Sequence, residues 1–168
     1  MTAAFDPAAF KEVMGRFVTG VTVVTALEEG VPVGFTCQSF VSLSLDPPLV
    51  GLAPAKSSTS WPRIARAGTF CVNILSEQQA DVCRAFAVSG GDKFAGVAWR
   101  GADRGGSPII DRSLAWVHCQ LELIHDAGDH ELVIGRVLEL GLGEGTPLLY
   151  YRGTFGGLAN AGSDQEGK

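Results

Sequence analysis

At 168 residues the chain has the length of one ordinary domain, and 46% hydrophobic against 18% charged residues is core enough to exclude intrinsic disorder. A formal net charge of −5 without a basic run argues against nucleic acid or anionic membrane as a partner. No apolar stretch approaches the roughly 20 residues of a membrane span.

The 22 glycines are roughly twice the usual share, which suits a fold with many tight turns. Cys37, Cys71, Cys83 and Cys119 match no zinc spacing and read as buried thiols of a reducing compartment, so no metal site is expected. The N-terminal residues lack a charged-then-apolar leader, which points to the cytoplasm.

Asp6-Pro7 opens a helix, with aspartate at the cap and proline at the first helical position. Phe10, Val13, Met14 and Phe17 then mark one apolar face, which predicts a packing helix ended by Gly20. Val21 to Thr25 is β-branched throughout and reads as a strand, followed by a turn at Glu28-Glu29-Gly30 and a resumption at Val33. Leu49-Val50-Gly51-Leu52 is a third strand after Pro47-Pro48. Trp61, Ile64 and Ala65 begin a short helix stopped by Gly68.

Phe70 to Leu75 is another strand. Ser76 with Gln79 has the form of a capping box, opening a helix whose apolar face includes Ala80, Cys83 and Phe86. Residues 88–112 read as irregular. Residues 114–125 and 131–140 form a hairpin around residues 126–129, and residues 147–151 make a last strand. Residues 1–160 form one domain with a polar tail at 161–168. Short strands with glycine and proline turns predict a mainly antiparallel β-barrel with a few peripheral helices. No Gly-x-Gly-x-x-Gly joins a strand to a helix, so a dinucleotide would not bind in a Rossmann crevice.

Seven segments in order carry a resemblance. They are residues 14–25 (MGRFVTGVTVVT), 34–40 (GFTCQSF), 42–49 (SLSLDPPL), 70–75 (FCVNIL), 92–96 (DKFAG), 128–130 (GDH) and 147–153 (PLLYYRG). In this order they resemble the short-chain flavin reductase family, the reductase halves of two-component flavin-dependent monooxygenases. The flavour is that of the actinobacterial branch associated with steroid degradation and enediyne biosynthesis.

The resemblance implies a split β-barrel, a homodimer, FAD or FMN as acceptor and NADH or NADPH as donor, with NADH favoured. It also implies a partner monooxygenase served by diffusing reduced flavin. Thr36, Cys37, Gln38 and Ser39 would border the flavin ring. Lys56, Ser57, Ser58 and Thr59, ahead of a helix, suit a phosphate by their lysine and hydroxyls. Lys93 would reach flavin phosphate, and Phe94 would flank the pocket. His130, as the catalytic candidate, would hold the nicotinamide donor. Tyr151 and Arg152 would complete the donor site by stacking and by pairing with phosphate. His118 and His125 read as structural.

Hydride transfer needs proximity rather than a nucleophile or paired carboxylates, and the chain offers neither. The competing function is non-catalytic flavin storage or sensing on the same barrel. A pyridoxamine-phosphate oxidase relative would call for a more basic phosphate cradle than Lys56 and its serines.

Overall fold

The computed structural model describes residues 5–158, so the tail at 161–168 lies outside the described residues. Asp6 caps α1 (Pro7–Met14) by accepting from the Ala8 N–H, as the cap residues predict. The helix ends at Gly15, five residues short of Gly20, because β1 (Thr19–Gly20) pairs instead with a late strand. Its apolar face is also not packed: Phe10, Val13, Met14 and Phe17 are all at least half exposed.

β2 (Thr22–Glu28) and β3 (Val31–Cys37) form the expected hairpin across Glu29-Gly30. β4 (Val41–Leu45) and β5 (Pro48–Leu52) form a second. Next come α2 (Trp61–Ala67), stopped by Gly68 at φ +75°, and β6 (Thr69–Ile74). The capping box of Ser76 and Gln79 is present, but it opens a single 3₁₀ turn (Glu77–Gln79) before α3 (Ala80–Ala87). Within the segment read as irregular lie two three-residue strands, β7 (Trp99–Gly101) and β8 (Pro108–Ile110). Two long strands, β9 (Ala115–Ala127) and β10 (His130–Leu142), make the predicted hairpin, followed by β11 (Leu149–Tyr151) and β12 (Thr154–Gly156).

Seven strands form one antiparallel sheet in the order β3-β2-β6-β9-β10-β5-β4. Although four strands separate β3 from β5, Val33 and Cys37 share one core cluster with Val50, Leu52, Phe70 and Val133. The sheet is therefore coiled round that core, with Trp61 and Ile64 of α2 plugging it. Ser39 stitches the open seam: its hydroxyl donates to the Ala53 carbonyl and accepts from the Ala53 N–H. This is the split barrel that the resemblance implies.

β2 is buried on both faces, its threonines Thr22 and Thr25 included. Val24 and Ala26 face the barrel core, while Val23 meets Cys83, Phe86 and Phe94 outside it. Gly34 lets β3 approach α3: a Cβ there would stand 2.8 Å from Phe86 Cε1 and 2.9 Å from the Val24 carbonyl oxygen. Wholly buried Asn73 ties β8 to this layer, donating to the Val23 carbonyl and Thr25 Oγ1 and accepting from the Ile110 N–H. No helix of the described residues is long and apolar enough to cross a membrane.

Candidate active site

A cleft of about 510 Å³ opens between the end of β3, the C-terminal end of α3 and the loop leading into α2. It is lined on one side by Thr36, Cys37, Gln38 and Ser39, on another by Ser57, Ser58 and Thr59, and it also takes in Lys93 and His130. Residues up to 94 positions apart in sequence thus converge on one cavity, and the packing described above explains how.

The β3 wall is rigid because its hydroxyls are spent on scaffolding. Thr36 Oγ1 donates to the Cys83 carbonyl at 2.7 Å, fastening β3 to α3. Ser39 is committed to Ala53, as noted, and lies 3.2 Å from the Cys37 sulfur. Burial pushes the Cys37 thiol up, so it stays protonated and is no nucleophile. Gln38 is exposed and contributes to this cleft and to a neighbouring one.

His130 reaches the cleft through the β9–β10 hairpin. Gly128, at φ +74°, closes a two-residue turn, with glycine at the first central position. The Lys56 N–H donates to the Asp129 carbonyl and the Glu131 N–H to the Pro54 carbonyl, pinning the hairpin tip to residues 54–56. Trp61 Nε1 donates to the Glu131 carboxylate from below. His130 itself stays nearly half exposed, its Nδ1 2.7 Å from Asp129 Oδ1. That contact holds the Asp129 carboxyl below its ordinary range.

Lys56 serves this rim rather than the cavity. Its ammonium pairs with Asp126, whose carboxyl it holds low, and it does not line the cleft. Ser57 and Thr59 are exposed and face the cavity, whereas Ser58 Oγ accepts from the Trp61 N–H at the start of the seven-residue α2.

Lys93 carries the cation of the cleft. Its Nζ donates to the Gly34 carbonyl at 3.2 Å, the Phe86 carbonyl at 3.2 Å and Ser60 Oγ at 3.3 Å. It pairs with no carboxylate among the described residues, and burial pulls its pKa down. Dipoles alone solvate this charge, which leaves it open to an anion.

The remaining expected residues are elsewhere. Phe94 is buried in the outer core, edge-to-face with Phe86 at 4.8 Å, and borders a separate cavity behind Lys93. Arg152, at φ +50° in the β11–β12 turn, lies in an adjoining cleft of about 440 Å³ with Phe10, Met14 and Phe17. Tyr151 lines neither cleft. Within one chain, therefore, Arg152 touches the main cleft only through their shared neighbour Gln38. Ala53, Pro54, Ser60, Phe86 and Ser89 line the cleft without having been expected there. Phe86 carried only a helix-face signal, and nothing local marks the other four.

A cleft with a preformed wall, free hydroxyls and one uncompensated lysine fits a planar heteroaromatic ligand bearing phosphate, which is the ligand class of split-barrel flavoproteins. Comparison with known proteins narrows the class. The chain matches the flavin reductase like domain over residues 14–159 and belongs to that family. It is 51% identical over 156 residues to the reductase subunit HsaB of a flavin-dependent monooxygenase from Rhodococcus jostii, covering 92% of this chain and 80% of that one. Among solved structures it resembles nitrilotriacetate monooxygenase component B from Mycobacterium thermoresistibile, with TM-score 0.87, 47% identity and coverage of 96% and 95%. It also resembles the NADH:FAD oxidoreductase SgcE6 of Streptomyces globisporus in complex with NAD and FAD fragments, with TM-score 0.85, 31% identity and coverage of 98% and 100%.

Proposed function

We propose that this protein is an NADH-dependent flavin reductase that supplies reduced flavin to a partner flavin-dependent monooxygenase in the cytoplasm. The observation that carries the reading is the Lys93 ammonium, without a carboxylate partner among the described residues, in a cleft walled by residues 36–39, in a chain of this family. The wall formed by Thr36 to Ser39 would border the ring, with Ser57, Thr59 and Lys93 binding its phosphate. His130 at the rim would hold the nicotinamide of the donor by a ring N–H. A flavin bound there supplies the hydride acceptor, and the protein's own part is to stack donor and acceptor and exclude water.

Arg152 and Tyr151 would join the donor site only across a dimer. The exposed apolar residues of α1, together with Leu45 at 92% exposure, are the kind of surface a homodimer buries. Sedimentation equilibrium should accordingly give a mass of two chains, and a concentration-independent monomer would remove Arg152 from the site.

The decisive assay follows NADH absorbance with purified protein, with and without added FAD or FMN, in air. Oxidation that depends on flavin and saturates with it is the expected result. Flavin binding without NADH consumption would replace the reductase by a storage or sensing protein.

A further inference from the structure

Trp61, the first residue of α2, meets three sides of the main cleft at once. Its backbone N–H donates to Ser58 Oγ, in the turn that carries Ser57 and Thr59. Its ring stands edge-to-face with Phe35, which lines the cleft one residue before Thr36, at 6.5 Å and 72°. Its indole Nε1–H donates to the carboxylate of Glu131, the next residue after His130. We propose that Glu131 is a positioning residue for the donor site: held by Trp61, it sets the reach of His130 over the cleft. The proposal rests on the reading of His130 as the residue that holds the nicotinamide.

Strand geometry links the two side chains. Successive residues of a strand point to opposite faces, so the turn of β10 that brings Glu131 onto Trp61 brings His130 to the cleft rim. Backbone bonds hold the strand here: the Lys56 N–H donates to the Asp129 carbonyl, the Glu131 N–H donates to the Pro54 carbonyl, and Ala55 bridges to His130. Those bonds fix where the strand lies, and a side chain anchored off its axis fixes its roll.

Among the acidic side chains of the tip, Glu131 is the one suited to that task. Asp126 and Asp129 pair across exposed contacts with Lys56 and with His130 itself, and such pairs hold weakly. Glu131 is half-buried and enters no ion pair among the described residues. Its donor is rigid, because Trp61 is buried in the barrel core with Ile64 and Phe70. An N–H bonded to an ionised carboxylate is among the stronger hydrogen bonds.

Fluorescence titration of NADH into the flavin-free protein reads the donor site directly. Glu131→Leu keeps the bulk and removes the acceptor. It should raise the Kd for NADH about tenfold, the scale of one lost hydrogen bond to a charged group. The Kd for flavin and kcat at saturating NADH should stay within about twofold. Glu131→Gln keeps an oxygen for the indole N–H and should recover most of the affinity. Trp61→Phe removes the donor and should match Glu131→Leu, with the double variant no worse than either alone; it carries the test if the leucine variant fails to fold. Unchanged NADH affinity in Glu131→Leu overturns the proposal. So does equal damage in Glu131→Gln, which would make charge rather than the bond the cause. A parallel loss of flavin affinity overturns it too, since Glu131 would then support the whole cleft. If the unaltered protein bound flavin but no NADH, the donor-site reading would fall and the proposal with it. The bond itself would still be reported by the Trp61 indole proton, whose NMR resonance should move upfield in Glu131→Leu.

Discussion

The two sides of the main cleft are built by opposite means. On the β3 side, the hydroxyls of Thr36 and Ser39 are consumed in bonds to Cys83 and Ala53, and Gly34 draws the strand onto Phe86. Opposite, Ser57 and Thr59 are exposed, Lys93 lacks a carboxylate partner among the described residues, and His130 rides a hairpin tip held partly by the exposed Lys56–Asp126 pair. One side contributes shape and the other charge. Substitutions on the first should therefore cost stability together with binding, and those on the second binding alone.

The largest effect should come from Gly34→Val, whose branched side chain has no room against the Val24 carbonyl and Phe86. Overpacking of this kind costs about 3 kcal/mol, so the urea midpoint should drop and flavin binding vanish with it. A stable Gly34→Val protein would show that β3 and α3 are less tightly joined than described. Lys93→Met lies on the other side of the comparison. It should weaken both flavins on the order of tenfold or more through loss of a charge-assisted contact, with a smaller change in melting temperature. Equal flavin affinity before and after the change would take Lys93 out of the site.

Thr36→Val preserves shape and removes one hydroxyl bond, leaving the Cys83 carbonyl short of a donor. It should destabilise by about 1–2 kcal/mol in urea titrations, and a neutral result would mean that the β3 wall does not depend on that bond.

His118, far from this cleft, sharpens the comparison through pH. It is fully buried, with Nε2 3.2 Å from Ser107 Oγ and Nδ1 3.1 Å from Glu139 Oε1 but out of line for a hydrogen bond. Burial pulls its pKa below the ordinary 6.5 against the opposing pull of Glu139. The unfolded chain then takes up a proton that the folded one resists. The stability His118 contributes is therefore complete above pH 6.5 and drains as pH falls below it. Thermal midpoints recorded from pH 7.5 to 5.5 should decline for the native chain and flatten for His118→Asn; equal slopes would show the histidine to be silent. The smallest change is expected of Lys56→Ala: an exposed ion pair adds little stability, so melting should barely move while KM for NADH rises as the His130 hairpin loosens.

Long elements were legible in the sequence because their patterns were local. The β-branched run of β2, the capping residues of α1 and the glycine stop of α2 each carried its own signal. β4 was not read as a strand, although Val41, Leu43 and Leu45 alternate with serines there. β7, β8 and β12, at three residues each, are too short for any periodicity to show. The α1 face misled because an apolar stripe reports that something is to be buried, not that the same chain buries it. At the site, Thr36 to Ser39, Ser57 to Thr59, Lys93 and His130 lie around one cleft. Lys56 and Phe94 do not, since an ion pair claims one and the outer core the other. Ser89 and Ala53 enter only through tertiary packing, which no local pattern encodes.

The most direct test of the account is anaerobic rapid mixing of the protein with oxidised FAD and NADH, following the visible absorbance of the flavin. The account predicts bleaching that matches NADH consumed, saturates in both reactants, and slows in both Lys93→Met and His130→Ala. Flavin that binds in the presence of excess NADH yet keeps its visible absorbance would contradict it.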